Sequence, residues 1–180
     1  WVRLADVEAA RSAFLRVAYA LPLLAVLVAV RAGSDQDERR WFRPLAFVAG
    51  LLFGVNLVAW HGSIGIIGAG LGTVLPNLQV VVVGLLGVAL FRERPRPGFW
   101  VALPIVLLGI WLLSALGRPV VADGSVPLGV ALGVLAGVTY GSWLVVLRVA
   151  RARERASSAP QMLWSLTLGG AVVTGTVAAL

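Results

Sequence analysis

The sequence predicts an all-α integral membrane protein whose 180 residues form six transmembrane helices, and three observations lead there. Hydrophobic residues make up 59% of the chain and charged residues only 13%, against roughly 25% charged in an ordinary globular domain. The mean hydropathy is +0.94, and no single core of this length could hide so much apolar surface from water. The charges collect in short clusters between long uncharged runs, as in multi-pass membrane proteins. All 15 basic residues are arginine, giving a net charge of +7. Such a balance would suggest nucleic acid, but the clustering argues against that partner and makes lipid the surrounding phase. The chain has no Cys, which removes disulfides, Cys-ligated zinc and thiol catalysis.

A helix needs about 20 mostly apolar residues to cross a hydrocarbon layer of about 30 Å, so the stretches between charges define the elements. The first span runs from about 12 to 30, with Arg16 in its first turns and Arg31 closing it. The polar link GSDQDERRWFR follows. From Pro44 to Phe91 no charge occurs over 48 residues, which as one helix would reach about 72 Å. Two crossings are therefore expected, about 44–60 and 66–91, with the turn at His61–Gly65, where HGSIG places the sole histidine among Gly and Ser. Further spans are expected at 98–116, at about 126–147 and from Pro160 to Leu180. The chain starts at Trp1 in a partly charged segment and stops inside an apolar run, which reads as a fragment.

Arginine placement sets the expected orientation, because Lys and Arg in short loops stay on the cytoplasmic face. The links 31–43, 92–97 and 148–159 carry eleven arginines on one side; the opposite side carries Arg3, Arg11 and Arg118. With the arginine-rich side cytoplasmic, the first residues lie outside, and one upstream helix is expected.

Catalytic signatures are absent: there is no G-x-x-x-x-G-K-[ST], H-E-x-x-H or G-x-S-x-G. The GAGLG of Gly68, Gly70 and Gly72 lacks the preceding strand and cation of a phosphate loop. Gly129, Gly133, Gly137 and Gly141 form a four-residue ladder, expected to permit close helix contact. Asn77 and Gln79 fall in the middle of the 66–91 span, where unsatisfied amides are costly. At ~100° per residue they point about 200° apart, so one face is expected to join Thr73 and Asn77 as a water-accessible pathway while Gln79 bonds a neighbouring helix. Pro76 removes a backbone donor and can free the carbonyl near Gly72, as in carriers that bind solutes at distorted helices, or it can simply kink the helix for packing. Thr139, Tyr140 and Trp143 are expected to line the same cavity, as is Thr167 in a stripe with Trp164, Ala171 and Thr174. The alternative is that the hydroxyls return to the carbonyl four residues earlier and the tryptophans anchor at the interface. Of the intramembrane ionisable groups, Arg16 is placed near the outer headgroups and His61 in an external turn. No Asp or Glu lies within a span, and no metal site or cofactor is expected.

The run HGSIGIIGAGLGTVLPNLQVVVVGLLGVALFRERPRPGFWVALPIVLLGIWLLS resembles the third to fifth helices of an EamA-type repeat in the drug/metabolite transporter superfamily. It shares a Pro-containing helix (Pro76), an acidic residue just past its end (Glu93) and a Gly-centred helix (Gly109). AFLRVAYALPLL, with Phe14, Leu15 and Arg16, resembles the second helix, and GVALGVLAGVTYGSWLVVLRVARA the opening helix of a second repeat. The resemblance implies ten helices in two inverted five-helix repeats with both termini cytoplasmic. Residues 1–117 would be a first repeat lacking its first helix, and 126–180 the start of the second, with three helices to follow. The family commonly has Ser or Thr near the proline, where this chain has Asn77. The expected function is transport of a small metabolite or drug-like solute, in the export direction, by alternating access in the cell membrane. The alternatives are a membrane enzyme acting on lipid and a non-transporting helical assembly module.

Overall fold

A computed structural model of the chain describes residues 9–31, 43–116, 126–153 and 159–180. These are all helical or irregular, with no strand among them. The elements are α1 (Ala9–Ala18), α2 (Ala20–Arg31), α3 (Pro44–Val74), a 3₁₀ turn (Leu75–Leu78), α4 (Gln79–Phe91), α5 (Pro97–Leu116), α6 (Val126–Arg153) and α7 (Ala159–Ala178). Among the described residues, Arg11–Val30, Pro44–Phe91 and Val126–Arg153 are long and apolar enough to cross a membrane. Most of the 31–43 link and residues 154–158 of the 148–159 link lie outside the described residues, so the expected sidedness of those arginines does too. The chain packs as two compact units, 1–58 with 146–180, and 59–145. This packing division does not coincide with the repeat boundary expected between 117 and 126.

In the first unit, α1 and α2 form the expected first span, with a single irregular residue at Tyr19. Pro22 lacks the N–H that would bond the Ala18 carbonyl, which explains the interruption there. The turn still holds, since the Tyr19 N–H donates to the Leu15 carbonyl at 3.1 Å. α3 begins at Pro44, where a missing N–H costs nothing because the first-turn donors have no intrahelical partner. α7 packs against α1 and α2, and its crossing with α3 is backbone on backbone. A Cβ on Gly50 would strike the Leu166 carbonyl oxygen, and one on Gly169 would strike the Phe47 carbonyl. Ala46, Ala150 and Met162 close a small buried cluster beside this crossing.

In the second unit the 44–91 run is not one straight helix. The turn expected at His61–Gly65 is absent, and the chain reverses at Gly68, whose φ of 84° and ψ of 165° are non-helical. The reversal is visible in the neighbours: a Cβ on Gly72 would lie 3.0 Å from the Ile64 main-chain nitrogen, whereas residues eight apart in a continuous helix are separated by about 12 Å. Residues 61–65 stay helical because their polar groups are used inside the fold. Ser63 is fully buried and donates to the Gly129 carbonyl at 2.9 Å. The His61 ring, 6% exposed, packs edge-on against Trp60 at 4.9 Å. His61 is thus not in an external turn.

The glycine ladder of α6 lies against the two limbs of this hairpin. Gly129 faces Ile66 and Ile67, Gly133 faces Leu75 and Ser63, Gly137 faces Leu78 and Leu75, and Gly141 faces Val82 and the Gln79 carbonyl. Ile67, Leu71 and Leu75 form the buried core here, with Val126, Val130 and Val134 packed on it. At Gly137 an added Cβ would lie 2.9 Å from the Leu78 Cβ. Gly137→Leu is expected to cost about 1–3 kcal/mol of stability, read as a lower thermal midpoint and impaired transport. Wild-type behaviour would mean that the two elements do not meet along the ladder.

Several boundaries differ from expectation: α1 starts at Ala9 against about 12, and α7 runs Ala159–Ala178 against 160–180. α5 starts at Pro97, one residue before the expected 98, while α6 continues to Arg153, six beyond the expected 147. Charge marks where a helix leaves the hydrocarbon, not where it ends; Arg148, Arg151 and Arg153 extend the helix past the apolar run. Between α4 and α5, Arg92 takes a left-handed conformation with φ of 54°, and the Glu93 N–H donates to the Gly87 carbonyl at 3.2 Å, closing the helix end.

Candidate functional site

Pro76 shapes the first group of candidate residues. Its missing N–H interrupts the helical bonding pattern, and residues Leu75–Leu78 tighten into a 3₁₀ turn. The carbonyls disturbed by this change are met from a side chain: Asn77 Nδ2 donates to the Thr73 carbonyl at 3.2 Å and to the Val74 carbonyl at 3.1 Å. Thr73 and Asn77 are both exposed. The Thr73 hydroxyl donates to the Ala69 carbonyl at 2.6 Å. Both side chains have therefore spent donor capacity on the backbone, leaving Asn77 Oδ1 and the Thr73 lone pairs as acceptors. This limb meets α6 through Leu75, Leu78, Gln79 and Val82, and the ~100° step per residue puts Thr73 and Asn77 on another face.

On α6, Thr139 is buried and its hydroxyl returns to the Leu135 carbonyl at 2.7 Å. Tyr140 and Trp143 stack on each other, with ring centroids 5.0 Å apart and planes at 16°. Both are half-buried. The expected bond from Gln79 to a neighbouring helix is not seen: Gln79 Oε1 is buried without a hydrogen-bond partner among the described residues.

In the first unit, Thr167 is buried at 9% exposure and lines a cavity of about 220 Å³ together with Arg16, Val17, Ala20, Phe53 and Leu57. Arg16 is thus at a cavity wall, where the sequence placed it only by its depth near the headgroups.

One polar constellation was not visible in the sequence. Arg43 looks like one more link arginine, yet it is 7% exposed. Its N–H donates to Ser165 Oγ at 2.8 Å and its guanidinium to Gln161 Oε1 at 3.0 Å. The Ser165 hydroxyl in turn donates to the Gln161 carbonyl at 3.1 Å. Gln161 is 2% exposed, so this network ties the start of α3 to the first turns of α7. The four-residue spacing of Gln161 and Ser165 put both on one face of a helix, but nothing in the sequence paired that face with residue 43. Asn56, buried at 7% exposure within α3, was likewise passed over. Among the described residues no group of three or more His, Asp or Glu could hold a metal ion.

Comparison with known proteins gives two matches. The sequence model of the EamA-like transporter family matches residues 2–115. A protein of Bacillus subtilis (strain 168), named as the uncharacterized transporter YwfM, is 26% identical over 147 residues, covering 80% of this chain and 49% of that protein. The chain therefore spans about half the length of the curated relative it matches. No solved structure matches the chain.

Proposed function

The chain belongs to the EamA-like transporter family, and we propose that it is part of a carrier that moves a small metabolite or drug-like solute across the cell membrane, in the export direction, by alternating access. In this reading the hairpin reversing at Gly68 supplies two crossings, so the chain contributes six helices of a ten-helix protein built from two inverted repeats. Residues 1–117 belong to the first repeat and 126–180 to the second, with the links 31–43, 92–97 and 148–159 on the cytoplasmic side. The partners are the surrounding lipid and the solute.

The observation that carries the reading is the interrupted helix at Leu75–Leu78 inside an uncharged 48-residue run. Backbone irregularity at membrane depth is tolerated where it is buried in protein or lines a water-filled cavity, and carriers place solute sites at such discontinuities. Asn77 lies about 21 Å along the axis from Phe91, at the depth of the hydrocarbon layer. Thr73 and Asn77 are the first solute contacts in this reading, with acceptor oxygens for a polar group. In the same unit, Tyr140 and Trp143 supply a flat aromatic surface on α6.

Asn77→Ala tests this in the full-length protein reconstituted in vesicles. Loss of two exposed bonds to carbonyls costs only about 0.5–1.5 kcal/mol each, so normal expression is expected. Solute flux should fall, or solute preference change. Unchanged flux with a lowered thermal midpoint would assign Asn77 to the helix end alone and remove it from the pathway.

A further inference from the structure

Among the described residues, Arg16 is the sole charged one lining the cavity of about 220 Å³ in the first unit. It lies about 22 Å before Arg31 along the α1–α2 axis, within the apolar run Arg11–Val30. It is also only five residues past Arg11, and although exposed, its side chain forms part of the cavity wall. Thr167, on the same wall, is distinct among the buried threonines. Thr139 and Thr174 return their hydroxyls to carbonyls of their own helices, whereas the Thr167 hydroxyl makes no hydrogen bond among the described residues while lining the cavity. The remaining wall is apolar: Val17, Ala20, Phe53 and Leu57.

A fixed cation, an uncommitted hydroxyl and an apolar remainder define a chemical class of ligand. We propose, resting on the transporter reading above, that the solute bears an oxyanion, a carboxylate or a phosphate, which Arg16 binds. Arg offers a planar fork of N–H donors suited to two-point contact with such a group. Thr167 adds one donor, and Phe53 and Leu57 receive a short aliphatic part. The volume sets the scale, because pockets for drug-sized ligands begin at about 300 Å³. A short aliphatic acid fits that space.

The probe is valerate, with valeramide as its neutral counterpart, added to the purified full-length protein in discs of zwitterionic phosphatidylcholine. Valerate at about a hundred times its Kd should raise the thermal midpoint by about 5 °C or more, and valeramide by about 1 °C at most. Arg16→Gln should abolish the valerate shift, Arg16→Lys retain part of it, and Thr167→Val require a roughly threefold higher concentration for half the shift. Equal shifts from acid and amide, or an undiminished shift in Arg16→Gln, would overturn the proposal. A lipid headgroup offers the same oxyanion, so the titration is repeated in discs containing phosphatidylglycerol. If that lipid alone raises the midpoint through Arg16 and abolishes the valerate response, the site is a lipid site and the proposal fails. Should Arg16→Gln not fold, Ala20→Leu narrows the same cavity without touching the cation. A valerate response unchanged in both Ala20→Leu and Thr167→Val would then overturn the proposal. Flux is measured separately on the same preparation: valerate binding through Arg16 with no flux of any solute would count against the transporter reading and leave the binding result standing.

Discussion

Gly50→Ala is expected to remove most of the folded protein, although it adds a single methyl group. The new Cβ would meet the Leu166 carbonyl oxygen, with the Leu166 carbonyl carbon at 2.8 Å and its Cα at 2.9 Å. Those are main-chain atoms of α7, which cannot rotate away as a side-chain tip would. Relief requires the two helices to separate, and separation also loosens Gly169 against Phe47 and Leu51 and the neighbouring contact of Gly54 with Gly170. Overpacking against flexible side chains costs about 1–3 kcal/mol, so a clash with backbone on both sides of a crossing is placed at about 3 kcal/mol or above. Gly65→Ala is the matched control in the same helix. Nothing lies within 4 Å of a Cβ there, and Ala favours the helix over Gly by up to about 1 kcal/mol. Monodisperse yield and thermal midpoint in detergent should collapse for the first variant and hold or rise for the second. Near-normal yield of Gly50→Ala would mean that α3 and α7 do not cross at backbone contact.

That crossing marks where sequence reading stops. The ladder on α6 is periodic, so it announces itself as a packing face before any partner is known, and its neighbours prove to be the hairpin limbs. Gly50 and Gly169 have no comparable spacing, and two isolated glycines in apolar runs do not say which helix approaches them. The same limit explains the missed network. Gln161 and Ser165 share a face by spacing, but pairing them with Arg43 requires knowing that α7 returns to the start of α3. A contact across more than a hundred residues is a property of packing, not of local pattern.

The all-helical class was legible because hydrocarbon thickness and helix rise fix the length of an apolar run, and three described stretches are long and apolar enough to cross a membrane. The turn within Pro44–Phe91 was legible in existence and misplaced in position. Polarity pointed to His61–Gly65, on the premise that polar groups mark water. His61 and Ser63 are instead buried, and Ser63 bonds the Gly129 carbonyl across to α6. The candidate site was legible in part: Pro76 does disturb its helix and Asn77 does respond to it, but its amide turns to the backbone carbonyls of Thr73 and Val74. Arg16 was judged by depth alone, since its place on a cavity wall depends on Phe53, Leu57 and Thr167, which belong to two other helices.

Gly68→Val should carry the other large effect, and it follows from backbone conformation instead of space. With φ of 84° and ψ of 165°, Gly68 occupies a region that is essentially closed to residues with a Cβ. The strain is of order 1–3 kcal/mol for a residue forced there, and a β-branched side chain sits at the upper end or beyond. The chain has no second place to turn cheaply. Residues 64 and 72 already lie side by side, and shifting the reversal by one position would rotate each limb by ~100°, carrying Leu71 and Leu75 away from Gly133. Local strain at Gly68 thereby becomes loss of the hairpin and of its contact with α6. Gly70→Ala, two residues on, meets open space and has ordinary helical backbone, so it should leave the stability within about 1 kcal/mol of wild type. Gly68→Ala should fall between the two, because alanine lacks the branched carbon but still carries the Cβ. The measurement is a three-variant melting series in detergent, and its expected order is Gly70→Ala, Gly68→Ala, Gly68→Val from most to least stable. If Gly68→Val melted with Gly70→Ala, the reversal would have to lie elsewhere in the run, and the register of both limbs against α6 would have to be redrawn with it.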